Sequence, residues 1–172
     1  MALFNELGLQ EEVCYDLAVA GMLHDLGKVR LNFYMNEKVE DEILAVDETR
    51  YMRMHPSIGY AILADYDYNQ TVLDAVLYHH EHYDGTGFPD RLHSDSIPLG
   101  ARILAIAVDY DELQMGLILP QAITAEYALL YIRENKGQRY DPDLVSLMVR
   151  VVDAEQKRIR EVALGSSQLK PG

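Results

Sequence analysis

The chain has a single cysteine, Cys14, so no internal disulfide framework supports it and its fold must rest on packing. The setting of that residue, Val13-Cys14-Tyr15 in an apolar stretch, is that of an ordinary core position. No apolar run approaches the ~18 residues of a membrane span. The first residues, Met1 to Glu6, lack the basic and then apolar regions of a signal peptide. A cytoplasmic protein without membrane attachment is expected. Basic residues are scarce, with 15 Lys and Arg against 28 Asp and Glu, a formal charge of −13. Polymeric nucleic acid is therefore not an expected partner, because phosphate-backbone binding rests on clustered basic side chains. A small anionic substrate stays open if metal ions supply the local positive charge. Repeats, low-complexity tracts and obvious linkers are also missing, which leaves one domain.

The 172 residues, 49% hydrophobic and 25% charged, have the composition of a globular protein. A compact chain of this length buries roughly 70% of its extended surface and needs no staples. The periodicity is helical and predicts an all-α fold. From Glu11 to about Leu26, Val13, Leu17, Ala20 and Leu23 recur at spacings of three and four, and Gly27 is a natural stop. Residues 29–46 have no period and read as an irregular connection. Asp47 resembles an N-cap for a segment running through Met52 towards His55. Pro56 ends or kinks that segment, and a further one runs from Ser57 to about Ala64. Residues 70–82 carry Val72, Leu73, Val76 and Leu77 on a helix that ends in a histidine pair.

Between Asp84 and Pro98, Gly85, Gly87 and Pro89 break any regular element and predict a loop. A two-residue hairpin at Asp84-Gly85 is the alternative, set aside because the flanks do not alternate apolar and polar. Leu99 to Leu113 is the most apolar helix, with Ile103, Ile106, Ala107 and Tyr110 expected inward. Thr124 caps another helix, ending near Asn135 and Gly137. Asp141-Pro142 is an N-cap followed by proline at the first helical position, opening a helix with Leu144, Leu147, Met148 and Val151. The tail turns polar at Gly165, which gives a domain of 1–165 and a disordered tail of 166–172.

Five of the six histidines fall in three segments, and four of them, His24, His55, His79 and His80, look like part of a metal site. The first is Leu23-His24-Asp25-Leu26-Gly27-Lys28, at the end of an apolar helix, and the second is Met54-His55-Pro56. The third runs His79-His80-Glu81-His82-Tyr83-Asp84-Gly85-Thr86-Gly87-Phe88-Pro89. Imidazole and carboxylate together suit Zn, Fe or Mn. A bridging carboxylate lets two ions sit ~3.5–4 Å apart, where they activate water and clamp a phosphoryl oxygen. Each piece alone has a plain structural explanation: a His-Asp pair caps a helix, a His-His pair sits in the interior, and Asp-Gly-Thr-Gly is a turn. Their occurrence together, in this order, argues for a site.

These residues resemble the HD-GYP domain, a subgroup of the HD metal-dependent phosphohydrolases, whose members hydrolyse the bacterial second messenger cyclic di-GMP. The resemblance runs from about Leu7 to Pro142 and includes Ile97-Pro98-Leu99-Gly100-Ala101-Arg102-Ile103 and Tyr140-Asp141-Pro142. It implies an HD-domain helical bundle holding divalent metal ions, two of Fe, Mn or Zn. It implies His24 and Asp25 as ligands, Asp25 bridging, and His55, His79 and His80 around the second ion. Lys28 would stand near the substrate phosphate as hydrogen-bond or proton donor, and Asp25 and Lys28 are the implied catalytic pair. Glu81, Asp84, Gly85, Gly87, Phe88 and Pro89 would shape the signature loop. For Glu81 and Asp84, an orienting or loop-closing role stands beside direct chemistry. Phe88 replaces the tyrosine of the family name and keeps the ring.

Three departures accompany the resemblance. The family pattern Asp-x-x-Asp-Ala-Leu, aligned on Asp111-Glu112-Leu113, puts Val108 where a metal-binding aspartate is expected. Asp109 and Asp111 are candidate replacements; Asp109 is turned ~100° from Val108 on a helix and Asp111 lies nearer its face. An Arg-Pro-Tyr-like segment is replaced by Leu117-Ile118-Leu119-Pro120, which offers no guanidinium to phosphate. An earlier family helix that can supply a further ligand is not matched in this chain. Three functions follow: a phosphodiesterase acting on cyclic di-GMP through a metal-activated water, an HD-type hydrolase of another nucleotide or phosphoester, or a catalytically degenerate regulatory module. An upstream receiver or sensor domain, or a signalling partner protein, is an expected associate.

Overall fold

Four of the helices start where the sequence supplies a capping side chain or a proline. In the computed structural model, which describes residues 6–31 and 52–167, the helices are α1 (Glu11–Leu23), α2 (His55–Leu63), α3 (Gln70–Tyr78), α4 (Leu99–Met115), α5 (Ala125–Glu134) and α6 (Pro142–Ser167). A 3-10 turn at Ser94–Ser96 interrupts the long α3–α4 loop. Among the described residues there is no strand, so the all-α expectation holds. At α5 the Thr124 side chain accepts from the Tyr127 N–H. At α6 Asp141 Oδ1 accepts from the backbone of Asp143 at 2.8 Å and of Leu144 at 3.3 Å. Each bond satisfies an amide that the first helical turn leaves without an internal partner. Gly116, with φ of 74°, closes α4 in the left-handed conformation that glycine adopts without a Cβ penalty.

Helix α3 is the centre of packing, contacting α1, α2 and α4, while α5 and α6 pack on the far side of α4. Ala20, Ala75 and Val76 are fully buried, and their small side chains let these helices approach closely. Cys14 is buried as expected. Among the described residues no helix is long and apolar enough to cross a membrane.

Several elements differ from the sequence expectation. Gly27 does not stop a helix: after a turn at His24 and Asp25 the chain is helical again over 26–31. The glycine serves close approach instead, since a Cβ there would lie 2.0 Å from the His55 carbonyl oxygen. Pro56 opens α2 rather than ending a segment, because the first turn has no N–H to lose. The proposed cap at Asp47 and most of the 29–46 connection lie outside the described residues. Ala107 faces outward, whereas Ile103, Ile106, Val108 and Asp109 form the buried side of α4. Helix α6 continues to Ser167, past the polar turn of composition at Gly165.

The glycines give a paired test. Gly27→Ala should lower stability by about 3 kcal/mol, since its Cβ meets backbone that cannot rotate away. Gly21→Ala, whose Cβ would make an ordinary 3.8 Å contact with Leu104, should raise it by about 0.5–1 kcal/mol. Urea unfolding of both variants measures the two signs.

Candidate metal centre

The four histidines stand at helix ends, where main-chain carbonyls without helical partners are within reach. His24 follows α1 and its Nδ1 donates to the Gly21 carbonyl at 2.8 Å. At the start of α2, His55 Nδ1 donates to Met52 at 2.6 Å, and after α3 His79 Nδ1 donates to Val76 at 2.8 Å. A carbonyl only accepts, so in each neutral ring the proton is on Nδ1 and Nε2 is a lone pair. His55 Nε2 and His79 Nε2 then face each other at 3.3 Å, acceptor against acceptor. Burial drives the His79 imidazole down to about 3, with the neighbouring His55 and His24 adding to the shift and the Val76 carbonyl opposing it. Burial lowers His55 and His80 as well. Burial thus disfavours a proton between these nitrogens.

Asp25 stands between the imidazoles. Its Oδ1 is 3.4 Å from His55 Nε2 and its Oδ2 is 3.5 Å from His24 Nε2. Oδ2 also accepts from Lys28 Nζ at 2.7 Å, while Oδ1 is buried with no hydrogen-bond partner. Burial pushes the carboxyl up, but the Lys28 hydrogen bond and the charges of His24, Lys28 and His55 outweigh it and hold Asp25 below the usual carboxylate range. Among the described residues two groups have donor atoms within 4.8 Å of one another: His55, His79 and His80, and His24, Asp25 and Glu112. The rings of His24 and His79 are 5.3 Å apart at their centroids, those of His79 and His80 4.1 Å. Imidazole lone pairs converging with an orphaned carboxylate oxygen fit divalent transition-metal ions.

The signature loop closes one side of the site. Phe88 stacks on His80 with centroids 4.8 Å apart, and its amide donates to the His80 carbonyl. The Arg53 guanidinium lies over the other reach of the Phe88 ring at 5.4 Å. Glu81 Oε1 accepts from the Asp90 amide at 2.7 Å, and burial raises its pKa against that and neighbouring backbone hydrogen bonds. Asp84 Oδ1 accepts from the amide and hydroxyl of Thr86 at 2.9 and 2.6 Å, a local turn that also holds Gly85. A Cβ at Gly87 would fall 2.3 Å from the His82 nitrogen, so the loop returns over its own backbone only with glycine there. Glu81 and Asp84 thus hold the loop together, and Pro89 continues it beside Phe88.

The two candidate replacements for the missing aspartate do not join these groups. Asp109 takes the Arg139 guanidinium through Nε and, at 3.0 Å, Nη2, and the Tyr140 hydroxyl at 2.7 Å. Arg139 Nη1 donates in turn to His82 Nε2 at 3.0 Å, and His82 Nδ1 pairs with Thr86 at 2.9 Å. Asp109 therefore anchors the loop. Asp111 is exposed at the mouth of a cavity of about 320 Å³ that also reaches His24, Asp25 and Val108. Glu112 is the residue that sequence reasoning missed, along with His82 and Arg139. Its position four residues after Val108 was the available signal, because i and i+4 share a helix face.

The chain matches the HD domain family over residues 2–144 and belongs to it. It is 37% identical over 148 residues to the cyclic di-GMP phosphodiesterase response regulator RpfG of Xanthomonas campestris pv. campestris, covering 85% of this chain and 39% of that protein. It is 28% identical over 162 residues to a cyclic di-GMP phosphodiesterase of Thermotoga maritima, covering 92% of this chain and 42% of that one. A solved cyclic GMP-AMP specific phosphodiesterase from Vibrio cholerae (V-cGAP3) superposes with a TM-score of 0.65 at 22% identity, covering 88% of this chain and 41% of its own; the shared fold is helical. The resemblance to HD-GYP proteins thus extends to curated relatives, of which this chain spans less than half the length.

Two outcomes follow from this geometry. Asp109→Asn should cost about 3 kcal/mol by leaving Arg139 poorly compensated, while metal content measured by elemental analysis stays unchanged. The second concerns acid. His79 binds a proton in the unfolded chain near 6.5 but in the folded chain only near 3, so the unfolded state binds more protons across that window. Stability of the metal-free chain should be level above 6.5 in this respect and fall as pH drops below it. His79→Gln should reduce that slope by about 1.4 kcal/mol per pH unit, read from denaturant melts between pH 6 and 4.

Proposed function

We propose that the chain is the hydrolase domain of a cytoplasmic HD-GYP-type phosphodiesterase that cleaves cyclic di-GMP or a related cyclic dinucleotide using two divalent metal ions. The observation that carries this is the opposition of the His55 and His79 lone pairs beside Asp25, whose two oxygens turn to different imidazoles. His55, His79 and His80 would hold one ion, His24 would hold the other, and Asp25 would bridge them. When bound, such a pair polarises a phosphoryl oxygen and makes an attacking water more acidic. The remaining work belongs to the chain. Lys28, tied to Asp25, presents an ammonium at the site and can donate to a substrate phosphate or to the departing oxygen. Phe88 keeps water from one side of His80 and offers an aromatic face. The guanidinium absent from 117–120 has a counterpart in Arg53, held over Phe88.

The degenerate module is the weaker alternative, because all five expected ligand residues stand within two compact groups. The response-regulator relative supports an upstream receiver domain as the associate of this one. The test is hydrolysis of cyclic di-GMP and of 3'3'-cGAMP to linear dinucleotides by chain loaded with Mn or Fe, beside Asp25→Ala. The wild type should turn over at least one of them, and the variant should lose metal and at least 100-fold in rate. A metal-loaded wild type that cleaves neither substrate defeats the proposal. Unchanged metal content in Asp25→Ala would leave Asp25 a helix-end residue only.

A further inference from the structure

On α4, Val108 and Glu112 lie one turn apart and both line the cavity that opens on His24 and Asp25. Valine offers no donor. A helical side chain leans back towards the N-terminus and covers the turn before its own Cα. The longer arm of Glu112 brings its carboxylate to the cavity face that a carboxylate at 108 would share, near His24 and Asp25. We infer that Glu112 replaces the aspartate expected at position 108 and completes, with His24 and Asp25, the second metal position. Resting on the two-metal reading of the site, this adds a ligand that the family pattern, with alanine at that place, does not contain.

Four observations support it. The donor atoms of His24, Asp25 and Glu112 lie within 4.8 Å of one another. Asp25 Oδ1 is buried with no hydrogen-bond partner, an orphaned acceptor in the same site. Of the other nearby acids, Asp109 is committed to Arg139 and Tyr140, and Asp111, exposed at the cavity mouth, is not among the grouped donor atoms. Lys28 does not account for Glu112, since Nζ is 2.7 Å from Asp25 but 4.0 Å from Glu112 Oε1.

The test is a calorimetric titration of chelator-stripped chain with Mn²⁺, stoichiometry checked by elemental analysis and folding by circular dichroism. Wild type should take up two ions. Glu112→Gln should bind the second at least tenfold more weakly. Adding Val108→Asp to Glu112→Gln should bring it back, which no merely misfolded variant would do, while Val108→Asp in the wild type should add no ion. Unchanged affinity for the second ion in Glu112→Gln, or a loss that Val108→Asp does not reverse, overturns the inference. A wild type showing this pattern but cleaving no cyclic dinucleotide defeats the phosphodiesterase proposal and leaves the ligand assignment standing. A wild type that binds no Mn²⁺ defeats both.

Discussion

The rest of this structure is arranged around imidazole lone pairs forced together in a dry interior. Each of His24, His55 and His79 is fixed by the same device, a ring proton given to a carbonyl three residues earlier at a helix end. The device settles the tautomer and aims Nε2 inward, as partners behind metal-ligating histidines do. It also sets the His55 and His79 lone pairs against each other, and the burial of His79 disfavours a proton between them. Sequence features that look unrelated serve this convergence. Gly27 lets the turn after α1 press against the start of α2, and Gly59 packs against the Gly27 backbone from the other side. Small residues on α1 and α3 bring the remaining histidines within reach.

The scarcity of basic residues makes each half-buried cation among the described residues count. Lys28 goes to Asp25, Arg139 to Asp109, and Arg102 to Asp141 at 2.7 Å. These pairs tie together segments that helix packing alone would leave loosely related. Arg102 joins α4 to the cap of α6. Arg139 joins the α5–α6 turn to α4 and, through His82, to the signature loop. Against a net charge of −13, these few cations mark the places where positive charge gathers.

The fold was largely legible because its signals are local. Thr124 and Asp141-Pro142 each satisfy a backbone pattern within a few residues, and the structure places helix starts there. The histidine groups were legible because three linear segments carried them whole. What failed was local inference about distant contacts. Gly27 has the chemistry of a helix stop, but its role is set by the His55 carbonyl nearly thirty residues away. Ala107 sits in an apolar run yet faces the cavity, since a strongly apolar helix gives little periodicity to orient it. Asp109 was ambiguous because nothing near it in sequence names Arg139 and Tyr140 as partners.

Helix α4 shows why a linear motif and a metal site need not change together. One residue along a helix turns the side chain ~100°, whereas four residues return it to nearly the same face. Moving an acid from 108 to 109 therefore takes it out of the cavity and into the hydrogen-bonded chain that runs through Arg139 and His82 to Thr86. Placing another at 112 puts negative charge back on the cavity face, one turn further along, at the reach of a glutamate. Read position by position against the family pattern, the helix has a valine where an aspartate is expected. Read as a surface, it presents a carboxylate to His24 and Asp25 and, on its other side, a second acid that holds the loop over His80.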